Sequence, residues 1–274
     1  VARVATELMD SISGLDAGDG RKPAAGGTPR AVPRRVVAWP RKGRPGRVTC
    51  DTDGYLQIID SDALLALAVR TETVLEVVCR PGRYAIRETP IALVWPADSA
   101  DSELAEDVRA AFSFGNQRTS AQDLEFPVDQ LVEVAVRALS PGVNDPFTAV
   151  NCVDRLGSAL AQLARIDLVS PDRSDEAGAT RVLIPAFRFP GILDAAFNPI
   201  RQSAQGSAPV SIRLLEVLQV IAIAASRDED RKAIGRQARM IARGACEVLS
   251  EEDDRSAVED RLRGVLGQLA QTAV

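Results

Sequence analysis

The hydrophobic period of this chain turns from mainly strand-like to almost wholly helical at about residue 100, and that change constrains the fold more than any other feature. Between Arg34 and Trp95 the apolar residues come in short β-branched runs, VVAWP, RVTCD, GYLQIID, VLEVVC and IALVW, bounded by Gly, Pro or Asp. Side chains alternate across a strand, so brief runs between turn formers predict strands. Asp60–Arg70 (DSDALLALAVR) interrupts them with helical spacing, and Asp60 or Ser61 offers a side-chain oxygen to the free first-turn amides. From Asp101 onward apolar positions recur three and four residues apart. That spacing predicts helices over Glu103–Asn116, Pro127–Leu139, Pro146–Ile166, Ile192–Gln205, Val210–Ser226, Glu229–Leu249 and Ser256–Gln271. Arg181–Phe189 reads as a short strand or an extended crossing segment, and Ser170–Thr180 as a polar loop. The class expected is α+β: a small β-rich module, sandwich- or hammerhead-like, over 34–97, then a mainly α-helical domain over 101–274.

Val1, Val4, Ala5, Leu8 and Ile12 share one face of a helix expected over 1–15. The chain opens on Val1 rather than Met, and this helix is expected to continue from a segment upstream. Residues 16–33, rich in Gly, Ala, Pro and Arg, read as a linker. The basic stretch from Arg30 to Arg47 is either a solvated loop or, beside a bilayer, a segment that favours anionic headgroups.

Composition removes several chemistries. A net charge of -5 and a pI near 5.1 argue against nucleic acid as a partner. The chain has no His, so Ser-His-Asp, Cys-His and His-zinc sites cannot be built within it. The four cysteines, Cys50, Cys79, Cys152 and Cys246, form no close pair of the kind zinc and redox motifs need. They are expected to be free thiols, which favours the cytoplasmic side of a membrane. No cofactor or metal is expected. The longest apolar run, Val217–Ala225, contains Gln219 and falls short of the ~18 residues that span a bilayer. DTDG at 51–54 lacks the further ligands of a calcium loop.

The densest polar constellation is Arg137–Arg155, RALSPGVNDPFTAVNCVDR. Ser140-Pro141-Gly142 stops one helix, Asn144 or Asp145 caps the next, and Pro146 takes its first position. The result is a tight helix–helix corner. The amides at the second helix start could take an anion, although Asp145 would already occupy that end.

The segment LVEVAVRALSPGVNDPFTAVNCVDRLGSALAQLA resembles the signature of the family known as domain of unknown function 2254. Arg137, Ser140, Pro141, Gly142, Asn144, Asp145, Pro146, Thr148, Ala149, Cys152, Asp154 and Leu156 match its core pattern. Upstream, Gly115, Arg118, Thr119, Gln122, Asp123 and Phe126 fit the family's approach to that core, with Pro127 standing where Gly is usual. The resemblance covers almost the whole chain. It implies an N-terminal multi-helix membrane region, followed by the region represented here, and supplies no activity. A second likeness, of VVCRPGRYAIRETPIALV to half of a biotinyl/lipoyl-type β-sandwich, implies a fold only. No lysine lies between Lys42 and Lys232 to serve as attachment point.

These observations lead to three expectations. In the first, the chain is the cytoplasm-facing part of a membrane protein and acts as a binding, sensing or gating module. Its polar site would be built from Arg118, Thr119, Gln122, Asp123, Arg137, Ser140, Asn144, Asp145, Thr148 and Asp154, taking a small anionic ligand. The second is a structural module forming a homo-oligomer. The third is a carboxylate-based hydrolase using Asp145 and Asp154, although nine residues put them about two and a half helical turns apart.

Overall fold

A computed structural model describes residues 1–17, 43–166, 168 and 171–271. It opens with α1 (Ala2–Ala17), β1 (Gly46–Thr49), β2 (Gly54–Ile59), α2 (Ser61–Arg70), β3 (Val74–Val77), β4 (Tyr84–Ala85) and β5 (Pro90–Trp95). Next come α3 (Ser102–Ala110), β6 (Phe112–Gly115), α4 (Glu125–Ala138), α5 (Pro146–Leu163), β7 (Arg173–Ser174) and β8 (Thr180–Leu183). Four helices end the chain: α6 (Phe189–Ser203), α7 (Ala208–Ala224), α8 (Asp228–Val248) and α9 (Glu252–Gln271). The class is α+β, and the chain divides into two units. One comprises Val1–Gly18, Leu124–Leu168 and Phe187–Val274, the other Asp19–Asp123 and Val169–Ala186.

The second unit holds two sheets. One runs β1-β5-β3-β8-β7, with β3 and β8 parallel and the other pairs antiparallel. The other runs β4-β2-β6, all antiparallel. Val48, Leu56, Leu64, Leu75, Val94, Val108 and Val182 form a core with no measurable exposure. The amide of Ala63 donates to the Asp60 carboxylate at 2.9 Å, so Asp60 caps α2. The helix expected over Glu103–Asn116 stops at Ala110. Phe112 and Phe114 alternate along β6 and pair with β2, so cross-strand packing overrides the local helical spacing. The sheet unit therefore takes in 102–123 and part of the polar loop, and β8 realises the short strand expected near Arg181. VVAWP at 36–40, and the expected linker apart from Asp16 and Ala17, lie outside the described residues.

In the helical unit α1 lays Ala5, Leu8 and Ile12 against α4 and α5. Leu8 and Ile12 are each 1% exposed. α7 packs against α5, α8 and α9, which accounts for its nearly continuous apolar sequence. At the α5–α7 crossing Gly157 leaves the room that Val217 fills. A Cβ on Gly157 would lie 2.2 Å from a Val217 methyl. Among the described residues no helix is long and apolar enough to cross a membrane.

Candidate functional site

In the helical unit the motif Ser140–Thr148 is an αα-corner closed by hydrogen bonds of its own backbone and of Ser140, Asp145 and Thr148. The hydroxyl of Ser140 donates to the carbonyl of Arg137 at 2.7 Å, closing the end of α4. The amides of Val143 and Asn144 then donate to the Ser140 carbonyl at 3.0 and 2.9 Å. Asn144 turns the chain with φ of 47°, in the left-handed region that Asn enters more readily than most residues. The amide of Asp145 donates back to the Ala138 carbonyl at 2.8 Å, which fastens the turn to α4. The Asp145 carboxylate accepts from the Thr148 amide at 3.0 Å and from its hydroxyl at 2.5 Å. The Thr148 hydroxyl and then the Thr148 amide hold the Asp145 carboxyl below its ordinary range. The positive end of α5 is therefore neutralised by the chain's own side chain.

Two large apolar side chains of this corner are exposed. Phe147 is 80% exposed and Val143 58% exposed, while Ala149 in the same helix turn as Phe147 is fully buried. Sequence reasoning passed over both. The signal was a Phe directly after the first-position Pro, where a first-turn side chain has no preceding turn to lie on.

Arg137 and Asp154 turn away from the corner. Arg137 pairs with Glu133 one turn back on α4 at 2.5 Å, with both side chains exposed. Asp154 pairs with Arg213 of α7 at 2.5 Å, and Arg213 also meets Glu216 at 3.0 Å. Arg261 of α9 reaches Glu216 at 3.0 Å, completing a charged string across three helices. Partial burial raises the Glu216 carboxyl, but its bonds to Arg213 and Arg261 hold it below the usual range. Asp154 is thus paired with a cation on another helix.

The other expected residues belong to the sheet unit. The Gln122 side chain accepts from the Ile59 amide at 2.9 Å and donates to the Ile59 carbonyl at 3.2 Å, continuing the edge of β2 as a strand would. Asp123 is 1% exposed and accepts from Arg118 Nε at 2.7 Å. It lies over Gly82, whose φ is 85° and whose missing Cβ would fall 2.1 Å from the carboxylate. The Thr119 hydroxyl is buried with no hydrogen-bond partner among the described residues. Arg118, Gln122 and Asp123 together form a latch holding segment 116–123 to β2 and the 81–82 turn.

All four cysteines are free. Burial pushes the thiols of Cys79, Cys152 and Cys246 up, which makes them poor nucleophiles.

The family model described as "Predicted membrane protein (DUF2254)" matches residues 1–220. Uncharacterized proteins of Mycobacterium tuberculosis and Mycobacterium bovis are 29% identical to the chain over 209 residues, 75% of this chain and 40% of theirs. The chain thus spans less than half the length of these curated relatives. No solved structure matches it.

Proposed function

Because the chain belongs to the family of predicted membrane proteins designated DUF2254, we propose that its helical unit is a binding, sensing or gating module whose contact point is the α4–α5 corner. The observation that carries this reading is the division of labour at the corner. Ser140, Asp145 and Thr148 hold the turn through their own hydrogen bonds, and the corner exposes two large apolar side chains, Phe147 at 80% and Val143 at 58%. An exposed large apolar pair on a rigid support suits an apolar partner better than a small anion. The partner in this reading is the rest of a longer membrane protein, which is compatible with the aligned part being 40% of the mycobacterial relatives. The module works on the cytoplasmic side, where free thiols stay reduced.

Cysteine labelling tests this. Phe147→Cys in the isolated chain reacts quickly with a maleimide, while buried Cys50 and Cys152 do not. In membranes holding the intact protein the same position reacts at least about tenfold more slowly, whereas Ser158→Cys, exposed on the same helix, reacts equally in both. Equal reactivity of Phe147→Cys in both settings refutes the contact.

One observation favours self-association as a second reading. Val220 and Ile223, 57% and 58% exposed, lie one turn apart on α7. Sedimentation of the chain with and without Ile223→Ser decides it: a dimer that the substitution dissociates supports this reading, and a monomer in both forms removes it.

A further inference from the structure

The sheet unit carries an open, solvent-facing cavity of about 600 Å³ that none of the motif residues lines. Its walls follow from the local structure. Glu106 and Arg109 stand three residues apart on α3 and so share a face. Phe112 and Phe114 stand two apart on β6 and so share the other wall. The turn after β1 brings Asp51 to the rim. Arg109 fixes the geometry: its Nε donates to the Thr49 carbonyl at 2.9 Å, tying α3 to the strand that delivers Asp51.

Three properties point to a ligand class. The volume lies within the range of small-molecule sites, roughly 300–1,000 Å³. Asp51 and Glu106 have no ion-pair or hydrogen-bond partner among the described residues, whereas Asp107, next to Glu106, is taken up by Arg70 at 2.5 Å. The apolar part of the lining is aromatic, with Phe112 6% exposed and Phe114 half-buried, and a ring face attracts a cation as well as an apolar body.

We infer that this cavity binds an organic ammonium ion carrying an apolar or aromatic body, with Asp51 and Glu106 meeting the ammonium and Phe112 and Phe114 the body. Arg109 is a positioning residue that holds the cavity wall through Thr49. The site stands independently of the α4–α5 corner, which belongs to the other unit.

The test uses the whole 274-residue chain, labelled with ¹⁵N, titrated with phenethylammonium and separately with 3-phenylpropionate. These probes share a similar body and carry opposite charge. Phenethylammonium is expected to shift the amides of Glu106, Phe112 and Phe114, saturating with a Kd on the order of 1 mM. The carboxylate probe is expected to bind at least about tenfold more weakly. Glu106→Gln and Asp51→Asn should each weaken phenethylammonium about fivefold, and the double variant should abolish saturation. Both side chains are exposed, and the unchanged remainder of each spectrum verifies that the variant is folded. Equal binding of the two probes, binding insensitive to the double substitution, or no saturable shift with phenethylammonium each overturns the inference.

Discussion

Gly82 and Asp123 lie 41 positions apart in the sequence yet make one of the tightest fits in the sheet unit. The backbone at Gly82 is left-handed, and the space a Cβ would need holds a buried carboxylate. Gly82→Ala is expected to destabilise the protein by about 2–4 kcal/mol, combining backbone strain with displacement of Asp123. Urea unfolding of the purified variant measures this, and a loss below about 1 kcal/mol would mean that the turn adapts. Asp230 carries a different lesson. It is fully buried near the start of α8 and accepts from Arg227 at 2.6 Å. Burial pushes its carboxyl above the usual range despite the opposing pull of Arg227. The folded chain therefore holds this proton more tightly than the unfolded chain. The stability tied to this group is complete below the ordinary Asp value of about 3.9 and falls as pH rises toward the folded-state value. Relative to Asp230→Asn, the native chain should be more stable at about pH 4 than at about pH 7, as read from urea midpoints at the two values. A difference that grows with pH would contradict the assignment.

At the scale of elements, most helices after residue 124 were legible because each buries one apolar stripe, and α5 even announces its start through Asp145 and Pro146. Elements that depend on distant partners were not legible. Phe112–Gly115 has a helical neighbourhood and becomes β6 only because β2 is there to pair with it. Likewise, the family motif supplied the candidate residues without their roles. Arg118, Gln122 and Asp123 look like ligand-binding types, and only their tertiary partners reveal the latch. Arg118→Ala should cost about 3 kcal/mol, since it strips a cation from a carboxylate that is 1% exposed. Gln122→Ala should speed hydrogen exchange at the Ile59 amide while leaving β5, which is paired on both sides, protected. Unchanged exchange at Ile59 would show that the side-chain bridge is dispensable. The α5–α7 crossing gives a compensation test. Gly157→Ala should cost about 1–3 kcal/mol and be partly rescued by Val217→Ala, which removes the methyl it meets. Additive losses in the double variant would rule out that contact as the cause.

For the molecule as a whole, the two units divide the candidate chemistry between them. The sheet unit has the latch and the cavity, and the helical unit has the corner. Family membership was readable from Ser140–Thr148, but what the corner presents was not, because exposure of Phe147 depends on how α4 and α5 fold around it. These exposed side chains are proposed to be a contact point. Its most direct test is a photoreactive benzoylphenylalanine at position 147 of the intact protein, irradiated in its own membranes, with Ser158 of α5 as the exposed control. A discrete crosslink from position 147 to an apolar segment of the same membrane protein is expected, with none from position 158. Equal, diffuse labelling from both positions, or none from 147, would contradict it.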